Sequence, residues 1–237
     1  MIKKEISMLE LHYQVLKFLK DHKEDYTEEE KEMILKNYAW GKKEKALVPD
    51  ILRQIYDELD LLSPDKNIYL GFLKLIEKNF SINGNLVELG GGRIPSLAKK
   101  IALQQKNGTI TVYDDKLITT SVEQENLILK KERLRSDTDI NADLLVAFMP
   151  CEGTKTAFSI AKKNNLDFIV AFCEGSCHQE ETSLFGDAWE NDMLYEARKA
   201  VREGNLGTLE MTTMEEYNNP YLVVYNNRNM KTYVNHK

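Results

Sequence analysis

The chain has 237 residues and a formal charge of -6, and 42% of its residues are hydrophobic while 30% are charged. This composition excludes a disordered or fibrous protein and predicts a globular one with a substantial core. The net negative charge argues against nucleic acid as a partner. Neither a signal peptide nor a stretch of the roughly 20 apolar residues that span a membrane is recognisable. Together with three cysteines in no disulfide-scaffold spacing, this favours a cytoplasmic protein with no membrane partner.

Residues 1–80 predict a helical N-terminal region. Ile6, Leu9, Tyr13, Leu16 and Leu19 recur at helical spacing. A second helix is predicted to start at Thr27, where Thr27 and Glu30 match a capping box. Ser63-Pro64-Asp65 is a further helix-start signal. The helix after it has an apolar face that should pack on the rest of the chain, formed by Tyr69, Phe72, Leu73, Ile76 and Phe80.

From Asn85 onward the pattern changes to strands that alternate with helices. Strands are predicted near 85–89, 109–114, 143–149 and 167–172, and helices near 95–106, 154–164 and 186–203. Residues 119–137 contain a helical pattern over Val122–Leu134 and only a poor strand candidate. Gly207–Thr213 and Tyr221–Tyr225 predict an antiparallel hairpin, because no crossover helix fits between them.

These patterns predict an α/β fold class, in which a Rossmann-like, mostly parallel sheet ends in a C-terminal antiparallel hairpin strand and is preceded by an N-terminal helical region. The predicted domains are 1–80, a helical cap, and 81–237, a ligand-binding domain.

Three consecutive glycines join the first predicted strand to the next helix. Gly90, Gly91 and Gly92 follow the apolar residues Leu86, Val87 and Leu89. Glycine permits a positive φ and a close approach of ligand to backbone. The free N–H groups at the start of the next helix then face whatever lies above the strand, which predicts a nucleotide-cofactor site here.

Over residues 85–226 this arrangement resembles the class I S-adenosylmethionine-dependent methyltransferases. In that family the first motif is an acid, any residue, Gly, any residue, Gly, any residue, Gly. Glu88, Gly90 and Gly92 match it, whereas Ile94 stands in place of the last glycine. Some small Rossmann-like relatives carry a similar Gly-Arg-x-Pro ending, which Arg93 and Pro95 match.

The resemblance implies S-adenosylmethionine as the cofactor and further binding residues. Asp114 matches the acid that binds the ribose hydroxyls at the end of the second strand, with Asp115 in reserve. Asp137, with Asp139 as its rival, matches an acid near the adenine, and Phe148 completes the predicted set. The glycine spacing, with an acid about 20 residues on, also serves NAD-binding domains. Glu88 and the terminal hairpin favour a methyltransferase site over an NAD site. Another nucleotide remains an alternative ligand.

Two cysteines follow neighbouring predicted strands. Cys151 comes after 143–149 and Cys173 after 167–172, so that both thiols are placed near one pocket. Pro150-Cys151-Glu152-Gly153-Thr154 resembles a motif of RNA 5-methylcytosine methyltransferases, in which a second cysteine, here Cys173, adds to the pyrimidine. The acid that this family carries before Pro-Cys is absent.

For simple methyl transfer to oxygen or nitrogen, the available bases near the strand ends are Glu152, Glu174 and His178. A zinc site built from Cys151, Cys173, Cys177 and His178 is an alternative. Because their spacing matches no recognised zinc motif, no metal is predicted.

The main hypothesis is therefore a methyltransferase that acts on a small-molecule or protein acceptor, held between the N-terminal helices and the loops after residues 149 and 172. The alternatives are a non-catalytic ligand-binding or interaction protein, suggested by the missing third glycine, and an RNA 5-methylcytosine-type enzyme that uses Cys151 and Cys173.

Overall fold

The computed structural model describes residues 1–43, 48–118, 124–173, 187–216 and 219–228. The helices are α1 (Met8–Asp21), α2 (Glu28–Asn37), α3 (Asp50–Glu58), α4 (Ile68–Asn79), α5 (Ser96–Gln104), α6 (Thr154–Asn164) and α7 (Asp187–Glu203). The strands are β1 (Gly84–Leu89), β2 (Gly108–Tyr113), β3 (Leu127–Lys130), β4 (Leu144–Phe148), β5 (Asp167–Ala171), β6 (Thr208–Glu216) and β7 (Asn219–Asn227). Within the described ranges, none of the helices has the length and apolar character that crossing a membrane requires.

The seven strands form one sheet in the order β3-β2-β1-β4-β5-β7-β6. The first five strands in this order pair in parallel, whereas β7 is antiparallel to both β5 and β6. The β1 strand is therefore central, with β2 on one side and β4 on the other. The predicted fold class and the predicted C-terminal hairpin are confirmed.

Helices cover both faces of the sheet. On one face α4 and α5 pack on β1, β2 and β4 through a core that includes Phe72, Ile76 and Ile101. On the other face α6 and α7 pack on β4 and β5 through Phe158, Phe168 and Trp189. The predicted apolar face of α4 lies in the first of these cores, which confirms its packing against the sheet.

A third apolar cluster holds the N-terminal helices together. It contains Leu11, Val15 and Phe18 of α1, Ile34 of α2 and Ile55 of α3. The capping box predicted at the start of α2 is present, with Thr27 and Glu30 bonded to each other's backbone N–H groups. Ile94 and Ile118, which lie beyond the first strand, also belong to this cluster, so the cap and the sheet region share a core.

Two local predictions are corrected. The helix that the pattern over Val122–Leu134 predicts is wrong for the described part of this range. Leu127–Lys130 forms β3, because these residues find backbone partners along the open edge of β2, and residues 122 and 123 lie outside the described residues. Ser63-Pro64-Asp65 does not start the long helix. Pro64–Lys66 forms a 3-10 turn, and α4 begins at Ile68, where Asn67 Oδ1 accepts hydrogen bonds from the Tyr69 and Leu70 N–H groups.

Candidate functional site

A cleft of about 410 Å³ lies at the carboxyl edge of the sheet. In an open parallel sheet this edge, at the point where the strand order reverses, is the usual place for a ligand. The central strand β1 is that point here, since the chain passes first to β2 and β3 and then back to β4. The cleft is lined by the residues that follow β1, β2 and β4, and by α2 and α3 of the N-terminal region.

The floor of the cleft is the glycine turn after β1. Gly90 and Gly92 have φ angles of 75° and 71°, a backbone conformation that favours glycine. A Cβ on Gly90 would lie 2.9 Å from the Cα of Pro150, and a Cβ on Gly92 would clash with the amide of Gln54. The turn is therefore closely packed on both sides, and only glycine fits at these two positions.

Asp114, directly after β2, fixes the shape of this turn. One carboxylate oxygen accepts a hydrogen bond of 2.9 Å from the Gly92 N–H, and the other accepts one of 2.8 Å from the Lys116 N–H. Each carboxylate oxygen can accept a second bond. Asp114 and its neighbour Asp115 both line the cleft, so Asp114 is placed to support the backbone and to accept from a ligand hydroxyl.

Glu88 lies beneath the turn and is buried. Its Cδ is 3.6 Å from the position that a Cβ on Gly91 would take. One oxygen, Oε2, is buried without a hydrogen-bond partner in the described structure. Burial raises the pKa of Glu88 to about 8, the hydrogen bond from the Ala98 backbone opposes this rise, and the negative charges of Asp114 and Asp50 add to it. A buried carboxyl group with a raised pKa therefore lies beneath the floor of the cleft.

The first turn of α3 forms a wall of the cleft that sequence reasoning missed. The buried amide of Gln54 donates to the Gly91 carbonyl at 3.3 Å, and its oxygen accepts from the Ile94 N–H at 3.3 Å. Gln54 also donates to Asp50 Oδ2 at 3.0 Å. Asp50 and Gln54 lie four residues apart and therefore on one helix face, but nothing in the sequence indicates that this face meets the glycine turn.

Arg93, the residue after the glycines, ties the turn to α2. Its guanidinium donates to both carboxylate oxygens of Glu30 at 2.6 and 2.8 Å and to the Asp25 carbonyl at 2.5 Å. It also lies 4.9 Å from the centre of the Tyr26 ring. Ile94 follows it and is 0% exposed within the N-terminal apolar cluster. The residue that replaces the third glycine is thus an anchor for the cap, which is a physical reason for the departure from the motif.

Beyond β4 the cleft is bordered by strained backbone. Met149 and Cys151 have φ angles of 51° and 49°, which non-glycine residues rarely adopt and which occur often at functional sites. Cys151 and Glu152 both line the cleft. Glu152 forms an ion pair with Arg133, which also lines the cleft.

The other predicted site residues lie elsewhere. Phe148 is buried, 5.2 Å from Tyr69 and 5.3 Å from Phe72 between ring centres, and does not line the cleft. Cys173 is buried in the core beneath α6 and α7. Asp137 is exposed outside the cleft, where its carbonyl accepts from Lys163.

Glu174, Cys177 and His178 fall outside the described residues. Within the residues that are described, no group of His, Cys, Asp or Glu side chains is arranged to hold a metal ion.

No protein-family model matches this chain, and no curated protein matches it either. Solved structures do. A chain of the Haloferax volcanii complex between the Trm112 methyltransferase activator and a methyltransferase is 12% identical, with a TM-score of 0.50 over 73% of this chain and 93% of that one.

Two further similar structures are the ribosomal protein L11 methylase of Lactobacillus delbrueckii subsp. bulgaricus and the precorrin-6y C5,15-methyltransferase of Geobacter metallireducens. The first is 15% identical, with a TM-score of 0.46 over 70% of this chain and 80% of that one. The second is 12% identical, with a TM-score of 0.42 over 66% and 85%. From its strand order and its likeness to the Haloferax volcanii chain, the protein has the fold of the class I S-adenosylmethionine-dependent methyltransferases.

Proposed function

We propose that the protein is an S-adenosylmethionine-dependent methyltransferase that acts on a small-molecule or protein acceptor. The observation that carries the proposal is the glycine turn after β1, whose backbone is held by Asp114 and which forms the floor of the cleft. When bound there, the cofactor supplies an electrophilic methyl group on a sulfonium. Gly90, Gly91, Gly92 and Asp114 would hold its nucleoside, with Asp115 next to the ribose position.

The charge of the cleft supports this cofactor over a dinucleotide. Asp50, Asp114 and Asp115 are carboxylates on its wall and floor, and together with Glu30 and Glu152 they outnumber the basic side chains that line it, Arg93, Lys116 and Arg133. None of these carboxylates suits a pyrophosphate, which carries negative charge. S-adenosylmethionine instead carries a sulfonium and an ammonium. A ligand with positive charge and ribose hydroxyls fits carboxylates that accept hydrogen bonds.

Methyl transfer itself depends mainly on holding the acceptor atom in line with the methyl group, with a base to take its proton. Glu152 is our candidate for that base, because it lies at the cleft opening where Arg133 orients its carboxylate. Cys151, on the same wall, is the candidate for contact with the acceptor. Glu174 and His178 stay predictions from the sequence.

The two alternative functions lose part of their support. The missing third glycine suggested a non-catalytic protein, but Ile94 has a packing role in the N-terminal cluster. The RNA 5-methylcytosine reaction needs two thiols at the site, whereas Cys173 is buried and does not line the cleft.

Calorimetry with S-adenosylmethionine, S-adenosylhomocysteine and NAD tests the proposal. We expect S-adenosylmethionine and S-adenosylhomocysteine to bind and NAD not to bind. The double variant Gly90→Val, Asp114→Ala should lose this binding, since valine at Gly90 would meet Pro150. Asp21→Ala, at an exposed position of α1, serves as the control. The proposed function would be contradicted if neither S-adenosylmethionine nor S-adenosylhomocysteine bound at millimolar concentration.

A further inference from the structure

Asp50 is an acid of the cleft that no known motif assigns, and its carboxylate is held in place by three donors. Arg53 donates to Oδ1 at 3.3 Å and the Tyr69 hydroxyl donates to the same oxygen at 3.4 Å. Gln54 donates to Oδ2 at 3.0 Å. Arg53 and Gln54 are 3% and 5% exposed, whereas the side chain of Asp50 is 51% exposed. Buried donors thus orient a carboxylate whose other side faces the cleft.

Asp50 and Asp114 reach the glycine turn from different elements. Asp114 follows β2, whereas the partners of Asp50 contact the end of β4, where Arg53 lies 3.8 Å from the sulfur of Met149. Because β2 and β4 flank β1, their ends are about 10 Å apart, twice the spacing of neighbouring strands. Two carboxylates that come from the sides of β2 and β4 suit a ligand with a ribose at one end and a different polar group at the other.

The chemistry of Asp50 indicates which group that is. A carboxylate only accepts hydrogen bonds, and each oxygen has two acceptor positions, so that Oδ2 can accept from a ligand as well as from Gln54. The positive charge of Arg53 lies on the side of Oδ1, whereas the donor to Oδ2 is the neutral amide of Gln54. A cationic donor is therefore the group that this side of the cleft would bind most strongly.

We propose that Asp50 binds the ammonium group of the amino-acid end of the cofactor, so that helix α3 completes the ligand site. The inference rests on the proposed function, since it takes S-adenosylmethionine as the ligand. It makes Asp50 a specificity-determining residue that distinguishes ligands by their amino group, and it makes Arg53, Gln54 and Tyr69 the residues that position its carboxylate.

Calorimetry tests this assignment by measuring the affinity of two proteins for each of two ligands. The proteins are the unmodified chain and Asp50→Asn, which keeps the shape and removes the charge. The ligands are S-adenosylhomocysteine and its deaminated analogue, which keeps the carboxylate but lacks the ammonium. We expect Asp50→Asn to weaken S-adenosylhomocysteine binding at least about tenfold and to leave binding of the analogue unchanged. Asp60→Asn, whose side chain is 92% exposed, is the control and should change neither.

The outcomes separate the two proposals. If the unmodified protein binds neither S-adenosylmethionine nor S-adenosylhomocysteine, the proposed function fails and this inference fails with it. If both bind but Asp50→Asn weakens the analogue as much as S-adenosylhomocysteine, Asp50 acts only through the shape of the turn, and the inference alone is overturned. Should Asp50→Asn not fold, the unmodified protein still decides, because equal affinity for the two ligands excludes recognition of the ammonium.

Discussion

Glu88 shows how strongly one residue can be constrained by its surroundings. Its carboxyl is buried under the glycine turn with one oxygen unpartnered, and burial raises its pKa from 4.5 to about 8. Between these values the folded protein keeps the proton while the unfolded chain releases it. The free energy of unfolding therefore falls as the pH rises through this range, by up to about 1.4 kcal/mol per pH unit from this group.

We predict that Glu88→Gln removes most of the decrease in the free energy of unfolding with rising pH, because glutamine is neutral at every pH. The measurement is urea unfolding at several pH values from 5 to 8, in which the variant should gain stability relative to the unmodified protein as the pH rises. Glu24→Gln, at a side chain that is 86% exposed, is the matched control. If the free energy of unfolding depended on pH in the same way for the Glu88→Gln variant and the unmodified protein, Glu88 would have the same pKa in the folded and unfolded states.

Among elements, the connection between α2 and the glycine turn depends on the Arg93 guanidinium, which binds Glu30 through Nη2 and the Asp25 carbonyl through Nη1. Arg93 binds both oxygens of Glu30, and the two side chains are only 18% and 30% exposed. Lysine has the same charge but lacks the planar fork. We predict that Arg93→Lys lowers the free energy of unfolding by about 1–2 kcal/mol, measured in urea. Lys23→Ala, at a position that is 71% exposed, should change it by less than about 0.5 kcal/mol.

The neighbouring residue, Ile94, tests whether the cap needs a side chain where the family motif has glycine. Ile94 is fully buried in the N-terminal cluster. We predict that Ile94→Gly costs about 3–5 kcal/mol, because it leaves a cavity and frees the backbone, whereas Ile94→Val costs about 0.5–1.5 kcal/mol. Chemical unfolding measures both. A stabilised Ile94→Gly variant would mean that the glycine motif, rather than the cap, sets the optimum here.

For the whole molecule, a buried amide reinforces the β5–β7 pairing that joins the terminal hairpin to the parallel strands. Asn226 of β7 accepts from the Phe168 N–H at 2.7 Å and donates to Asp167 at 2.8 Å and to the Leu206 carbonyl at 2.9 Å. We predict that Asn226→Ala destabilises the protein by about 2–4 kcal/mol, because buried backbone groups lose their partners. Thermal unfolding measures the loss, and Asn107→Ala, at an exposed position, should have little effect.

The sequence predicts those features of the molecule that local patterns determine. Strands β1, β2, β4 and β5 are apolar runs bounded by turn residues, and the hairpin follows from its short connection. The edge strand β3 was missed, because its four residues alternate too briefly to outweigh a helical pattern. Its identity depends on pairing with β2, which is not visible locally.

The candidate site also has one part that local sequence patterns predict and one part that they do not. The glycine turn and Asp114 lie within 25 residues of one another, in a recognisable pattern. Gln54 meets Gly91 across 37 residues and Glu30 meets Arg93 across 63, distances over which sequence spacing predicts no contact. The half of the cleft that comes from the N-terminal helices therefore required a structure.

Arg93 and Ile94, which follow the glycine turn, are anchored in the helical cap. The predicted domain boundary near residue 80 therefore does not separate two independent parts of the site. A division there separates the wall of the cleft from its floor, because α2 and α3 hold the turn that the sheet supplies. A ligand that stabilises the turn must then also stabilise α2 and α3, which are bound to it, by an amount that grows with ligand concentration. Protection of α2 against proteolysis would thus report on a ligand bound to the sheet, and mutations in the first 60 residues at positions away from the cleft would also alter affinity.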